Sequence, residues 1–307
     1  MTDSTPFLFS GDASDRRDNP RAGFRKARRP QERVRLMGQL VDLVKPEEVM
    51  HHVQRWIGEE RKAIIANHNM NSLYLLRKNP EMAAFYERAD LVELDSTPLV
   101  QFAKMLGLKG RHFHRCTYLD WRNHFWSLVN RNGWRVMYVG GTQAVVDTAA
   151  SRLRHRYPRA QIGTQNGYFD MTPGAADNAE VLARVEAFKP HILFVGMGMP
   201  RQEMWISQNL EHLPDCAIFS VGAAFDYEAG VQKAAPRWMG RMGLEWAFRL
   251  LADPRRLYRR YCIEPWSLID LILADVVMAM RRKAEARRMA RKAGTADAAL
   301  GAPSPRS

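Results

Sequence analysis

The stretch His191-Ile-Leu-Phe-Val-Gly-Met-Gly-Met-Pro-Arg-Gln-Glu-Met-Trp-Ile206 joins a short apolar run, a glycine turn and the polar first turn of a helix. Ile192 to Val195 has the composition of a buried strand, and Gly196 and Gly198 end it with residues that admit positive φ and let a ligand approach the backbone. Pro200 suits the first helical turn. Arg201, Gln202 and Glu203 follow on it, where free N–H groups and the positive dipole end favour an anion. An ordinary βα corner of a parallel sheet has the same layout. A dinucleotide fingerprint needs a third glycine at position 201, which is Arg201 here, so the stretch does not indicate a nicotinamide cofactor.

Outward from this corner the pattern recurs. Lys62-Ala-Ile-Ile-Ala66 reads as a strand ending in Asn67-His-Asn69, whose short amides either donate to a ligand or cap the helix carrying Leu73 to Leu76. Ala89-Asp-Leu-Val-Glu-Leu-Asp95 is a strand ending in a carboxylate; Asp95 is either the N-cap of the helix Leu99 to Leu106 or a catalytic group. Trp134 to Thr142 is a third strand-to-glycine corner, in which Gly140 and Gly141 let backbone amides face a diphosphate before the helix Ala144 to Tyr157. A short strand from Gln161, a helix over residues 178 to 188, and Cys216 to Asp226, again a strand ending in glycine and a carboxylate, complete the series.

Strands alternating with helices at this pitch predict an α/β fold, a Rossmann-like parallel sheet flanked by helices. Ligands of such sheets bind beyond the carboxyl ends of the strands, which places Asn67, Asn69, Asp95, Gly140, Gly196 to Gln202 and Asp226 along one rim. An amphipathic helix from Pro46 to Ile57, with Val49, Val53 and Trp56 on one side, precedes the first of these strands.

After Asp226 the character changes. Pro236 to Leu251 and Asp253 to Tyr261 read as helical, aromatic and rich in arginine, and the spacing of Arg249, Arg256 and Arg259 aligns them on one helical face. Trp246, Tyr258, Tyr261 and Trp266 flank them, which suits an interface where phosphates meet apolar tails. The last helix, Ser267 to Lys292, carries Arg281-Arg-Lys283, Arg287-Arg288 and Arg291-Lys292, which anionic lipid attracts at about 1 kcal/mol per nearby charge. The expected organisation is a disordered basic tail over residues 1–32, the Rossmann-like domain over 33–235, a basic C-terminal helical appendage that associates with membranes over 236–292, and a disordered tail over 293–307.

The chain has 307 residues and a net charge of +13, which calls for an anionic partner: nucleic acid, an acidic membrane surface or phosphorylated substrates. Its three cysteines are scattered, with no C-x-x-C pair, so a disulfide framework or structural zinc is not expected and a reducing cytoplasm fits. His112 and His114 lack a nearby third ligand. No apolar segment reaches the roughly 18 residues of a membrane span; Trp266 to Met280, the nearest, is interrupted by Asp270 and Asp275.

Several stretches taken together resemble one family. Asn69 with Arg77-Lys-Asn-Pro-Glu81, Ala89-Asp-Leu-Val followed by Asp95, Arg115-Cys-Thr with Asp120, Gly167-Tyr-Phe-Asp170, Phe194 to Glu203, Val221-Gly-Ala-Ala-Phe-Asp226, Ala235-Pro-Arg-Trp-Met, Gly243-Leu-Glu-Trp and Asp253-Pro-Arg-Arg-Leu are similar to successive motifs of the WecG/TagA/CpsF glycosyltransferases. The resemblance implies an inverting transferase that moves a sugar, such as N-acetylmannosamine, its uronate or glucose, from a UDP-sugar to a polyprenyl-diphosphate-linked sugar in bacterial envelope or exopolysaccharide assembly. It implies a peripheral protein on the cytoplasmic membrane face, and a homo-oligomer is compatible with it. The chain has no D-x-D pair, Asp226-Tyr-Glu228 and Glu93-Leu-Asp95 being imperfect metal clamps, so neither cofactor nor metal is expected.

Carried over by position, Asp95 is the general base, Asn69 and Gln202 contact the donor, Asp226 its nucleotide part, and Arg115 the site wall. Asn67, Gly140, Gly141, Gly196 and Gly198, read from the strand ends, complete the expected donor contacts. Arg249, Arg256 and Arg259 fall on the appendage and meet the acceptor diphosphate. The chain departs from the family pattern at Asn67, usually threonine, at Ser96-Thr-Pro98 in place of Gly-Ile-Gly, and at Tyr118, commonly glycine. All three departures bear on sugar specificity. The alternative is a basic nucleotide-sensing or nucleic-acid-binding module; no RRM, zinc finger or recognition helix supports it, so nucleic acid is not an expected partner.

Overall fold

The computed structural model describes residues 32–300, without the side chains of Arg237, Arg241, Arg256 and residues 291–300. The expectations for residues 1–31 and 301–307 lie outside the described residues. The chain begins with β1 (Arg33–Leu36) and β2 (Gln39–Asp42), an antiparallel hairpin whose turn at Met37 and Gly38 has φ values of 49° and 79°. Asp42, fully buried, accepts bonds from the Arg33 guanidinium at 2.9 and 2.8 Å and from the backbone N–H of Val92 at 2.8 Å. The hairpin thus occupies a donor of the edge strand that would otherwise be open to another chain.

Six strands follow as one parallel sheet: β3 (Ala63–His68), β4 (Leu91–Leu94), β5 (Arg135–Gly140), β6 (Gln161–Gln165), β7 (Ile192–Gly196) and β8 (Ala217–Ser220), in the order β4-β3-β8-β7-β5-β6. Their apolar runs are buried on both faces, as a helix-covered parallel sheet requires. On one face, Trp121, Phe125 and Trp126 of the helix Tyr118–Asn132 pack with Val49, Val53 and Trp56 of the helix Pro46–Gly58 and with Phe194, Phe219 and Phe225. On the other, Leu73, Phe85, Leu99, Val185, Trp205 and Ile206 cover Ile64, Val92, Leu193 and Ile218. The chain leaves β7 into the helix Arg201–Asn209 on the second face and leaves β8 into the helix Ala224–Glu228 on the first. Departure to opposite faces opens a crevice at the carboxyl ends of these neighbouring strands.

The C-terminal segment differs from the expectation of a shared arginine face. It is divided into Arg237–Met242, Glu245–Ala252, Pro254–Tyr258, a π-helical turn Arg259–Ile263 and a 3-10 turn Glu264–Leu268. Gly243, at φ 78°, ends the first piece, and Asp253, kept out of the helical region before Pro254 at φ −144° and ψ 71°, ends the second. Arg249 and Arg256 therefore sit on different helices. The last helix, Ile269–Leu300, runs past Lys292, where the sequence reading ends it; Ala293, Ala296, Ala298 and Ala299 favour its continuation.

This helix is docked, not free. Asp275 is buried and accepts the N–H of Met37 at 2.6 Å, and Arg77 makes a two-pronged pair with Asp270 at 2.7 and 2.9 Å. The two aspartates that interrupt the apolar run are thus its anchors. Trp266, Ile269, Leu273, Val277 and Met280 are exposed and follow one another at helical spacing, so an apolar stripe remains uncovered. No helix among the described residues is long and apolar enough to cross a membrane. Asp275→Ala is expected to lower stability in urea by about 1–3 kcal/mol by orphaning the buried N–H of Met37, whereas Arg77→Ala, at an exposed pair, costs less than about 1 kcal/mol.

Candidate active site

A cleft of about 1200 Å³ opens at the carboxyl ends of the strands and extends under the C-terminal helices. Asn67, Asn69, Asp95, Gly141, Gly196, Gly198, Gln202, Asp226 and Arg249 line it, so residues read separately from the sequence converge on one surface.

Asp95 follows β4 and its carboxylate is not a helix cap. That task falls to Ser96, whose Oγ accepts the N–H of Leu99 at 3.4 Å and leaves Asp95 to the cleft. Asn69 fills both roles left open for it: its Oδ1 accepts the N–H of Ser72 at 3.1 Å as a cap, and its Nδ2 donates to Asp95 Oδ2 at 3.3 Å. Burial pushes the Asp95 carboxyl up to about 6, against the opposing pull of Arg249, Asn69 and Arg115 and with a small further rise from Glu245. Asn67 Nδ2 donates across to the carbonyl of Ser220 at 2.6 Å.

Three predicted contacts are placed differently from a direct ligand role. Gln202 is buried and both ends of its amide are engaged: Oε1 accepts the N–H of Gly222 at 3.1 Å and Nε2 donates to Glu203 at 2.7 Å. It pins the turn after β8 beside the crevice. Gly140 lies behind the lining, and a Cβ there would stand 2.4 Å from the backbone of Gly196, so close strand approach demands glycine. Gly196 has the same constraint, since its Cβ would meet the Tyr138 hydroxyl at 2.1 Å.

Arg115 is buried and reaches two elements: Nη2 pairs with Asp120 at 2.8 Å and Nη1 with Glu245 at 3.2 Å. It joins the core helix Tyr118–Asn132 to the appendage helix Glu245–Ala252. Thr97 Oγ1, donating to the carbonyl of Gly240 at 2.8 Å, adds a second tie. Those ties carry Arg249 into the cleft, where it donates to the Tyr227 hydroxyl. Arg259 instead stands exposed, 3.8 Å from Glu264, and the Arg256 side chain lies outside the described residues.

Sequence reasoning missed Arg260, Tyr227 and Glu245, which also line the cleft. Tyr227 directly follows Asp226 and Glu245 stands inside the Gly243-Leu-Glu-Trp motif, but neither pattern shows that they border the cleft; a crossing of the appendage over the sheet brings Glu245 and Arg260 there. Tyr118 donates to Glu228 Oε1 at 2.8 Å and accepts from Trp126 Nε1 at 2.9 Å, so this departure from the family pattern is built into the wall. Among the described residues no three His, Cys, Asp or Glu side chains gather as a metal-binding group.

A carboxylate at the end of a parallel strand, a helix N-terminus and arginines face one cleft, an arrangement suited to transfer of a group from an anionic leaving group. The sequence model of the glycosyl transferase WecG/TagA/CpsF family matches residues 34–292, and the chain belongs to that family. It is therefore a glycosyltransferase of the hexosyltransferase class. Similar proteins include the N-acetylglucosaminyldiphosphoundecaprenol N-acetyl-beta-D-mannosaminyltransferases of Staphylococcus aureus strains NCTC 8325 / PS 47 and MRSA252, each 29% identical over 211 residues, which cover 66% of this chain and 80% of the relative.

Arg115→Met is expected to cost about 3–5 kcal/mol of stability, because it removes the buried guanidinium that pairs with Asp120 and Glu245. Denaturant titration measures this, and protease digestion should show the segment after residue 236 released first.

Proposed function

We propose that the protein transfers a sugar from a UDP-sugar to a sugar carried on a polyprenyl diphosphate, with inversion, at the cytoplasmic face of a bacterial membrane during envelope or exopolysaccharide assembly. The observation that carries this reading is Asp95, a carboxylate at the rim of a large cleft, hydrogen-bonded by Asn69 and flanked by Arg249. Asp95 takes the proton of the acceptor hydroxyl while that oxygen bonds to the anomeric carbon. The bond from this carbon to the diphosphate oxygen breaks, and its electron pair leaves with UDP. A carboxyl group pushed up to about 6 is ionised at neutral pH and more basic than an ordinary aspartate.

Charge that builds on the departing diphosphate is met by Arg201, Arg249 and the N-terminal turn of the helix Arg201–Asn209. These groups supply the stabilisation without a metal ion. Asn67, Asn69, Gly141, Gly196 and Gly198 contact the donor and Asp226 its nucleotide part, while Arg249, the arginine of the appendage that reaches the cleft, also serves the acceptor diphosphate. Gly140 and Arg115 support the lining from behind, and Gln202, within it, fastens the turn after β8. The names of the relatives favour N-acetylmannosamine as the sugar and N-acetylglucosaminyl diphosphate on a polyprenyl chain as the acceptor. The departures at Asn67, Ser96 and Tyr118 keep glucose as the second candidate. The exposed stripe from Trp266 to Met280 and the basic clusters beyond it match an anionic membrane surface.

In a radiolabel transfer assay, Asp95→Asn lowers turnover by about 10²- to 10⁴-fold, and a chelator leaves the wild-type rate unchanged. The base acts deprotonated, so kcat/KM of the wild type climbs as pH rises through about 6 and is level above it. The substitution does not lower the melting temperature at pH 8: the folded carboxyl group titrates above its unfolded value, so its ionisation opposes folding there. Replacing Trp266, Leu273 and Met280 together by serine, with every arginine retained, is expected to abolish pelleting with phosphatidylserine-containing vesicles. Undiminished pelleting removes the stripe as the membrane contact.

A further inference from the structure

Beside Asp95 the cleft is lined by Asn67, Glu93, Thr117, Trp121 and Phe219. Glu93 stands two residues before Asp95, on the same side of the strand pleat, and is in register with Asn67 of the neighbouring strand. Glu93 and Trp121 are 3% and 2% exposed, and Thr117 is 9% exposed. Oδ1 of Asn67, Oε1 of Glu93, Oγ1 of Thr117 and Nε1 of Trp121 are all buried and without a hydrogen-bond partner. Folded proteins rarely leave such atoms unpaired, and four in one part of a ligand cleft mark a place where something else completes them.

The chemistry of the set is specific. It offers acceptors, a hydroxyl and an indole N–H against the aromatic walls of Trp121 and Phe219, which matches the hydroxyl or amide substituents and the C–H face of a pyranose. Burial, reinforced by Asp95 and Asp42, pushes the Glu93 carboxyl well above the usual carboxylate range. That direction favours the protonated form, which can donate as well as accept. None of the five residues is a cation, and the nearest guanidiniums, Arg115 and Arg249, are already engaged by Asp120, Glu245 and Tyr227 and act on Asp95. A ligand carboxylate entering here therefore loses its water beside two acidic side chains, with no cation of the recess to pair with.

We propose that this recess, centred on Glu93, binds the ring substituents of the transferred sugar and selects an uncharged hexose or N-acetylhexosamine over the corresponding hexuronate. The proposal rests on the sugar-nucleotide reading of the cleft and narrows it: the uronate is removed from the candidate donors.

Calorimetric titration of the full-length protein with UDP and with matched pairs, UDP-N-acetylmannosamine and its uronate, UDP-glucose and UDP-glucuronate, tests it. In the pair that the wild type binds better, the neutral sugar nucleotide is expected to bind at least about 30-fold more tightly than the uronate. Glu93→Leu is expected to weaken the neutral sugar nucleotide by about 10-fold or more while leaving UDP within about twofold, since only the sugar loses a partner. Glu93→Gln, which keeps a donor and an acceptor, stays within about threefold of wild type for the neutral sugar.

Equal wild-type affinity for neutral and uronate partners overturns the proposal, as does a Glu93→Leu variant in which UDP and sugar nucleotide weaken together or neither weakens. A wild type that binds UDP but treats the sugars alike defeats the recess alone; one that does not bind UDP defeats the donor reading, and the recess with it. The wild-type comparison and Glu93→Gln decide the matter if the leucine variant fails to fold.

Discussion

A single guanidinium couples the two parts of the molecule on which the active cleft depends. Arg115 is buried between Asp120 of the sheet-covering helix and Glu245 of the C-terminal segment, and its two ion pairs hold that segment against the end of the sheet. Glu245 begins the short helix that delivers Arg249, and Arg249 is the largest influence opposing the effect of burial on the Asp95 carboxyl group. Without the appendage the carboxylate would face open water; with it, Asp95 sits in a partly desolvated space whose cations come from a distant part of the chain. Burial that raises basicity and cations that preserve ionisation are opposite demands, and the appendage meets both.

The sheet meets a different demand at the same place. β5 approaches β7 so closely at Gly140 that a Cβ has no room there, and Gly196 has none because the Tyr138 hydroxyl and the Gly222 carbonyl occupy its side. Gln202, on the helix after β7, then fastens the turn after β8 through the N–H of Gly222. Residues that resembled ligand contacts in the sequence thus include some whose work is to shape the crevice. The distinction is physical: a polar group already bonded at both ends has little left to offer a substrate, whereas Asp95, Arg249 and the turn at Gly198 border open space.

Several features were legible because they are local. A βα corner is written in consecutive residues, so the strands from β3 to β8 and their glycine ends could be placed from apolar runs and turn residues, and the rule for parallel sheets then put Asn67, Asn69, Asp95 and Asp226 on one rim. The hairpin of β1 and β2 was not anticipated, although Val34 and Leu36 alternate with Arg33 and Arg35 before the turn at Met37-Gly38. The C-terminal arginines were read as one face because spacing alone assumes an unbroken helix; Gly243 and Asp253-Pro254 break it. In the sequence Glu93 is part of the strand that ends in Asp95, and its neighbours Thr117 and Trp121 come from a separate segment that no spacing connects to it.

What the sequence by itself determined is the class of fold and the chemistry available at its strand ends, since hydrophobic period, glycine position and the residue closing each strand are short-range properties. Only the tertiary structure decided which of two roles an ambiguous residue takes. Ser96 caps its helix and frees Asp95, Asn69 caps and also donates, and Gln202 turns inward. It also decided which arginine enters the cleft, because this depends on where a broken chain of short helices crosses the sheet. Desolvation has the same origin: the shift of the Asp95 carboxyl group and the unpaired atoms around Glu93 arise from what surrounds them in space, and residues far apart in the chain supply those surroundings.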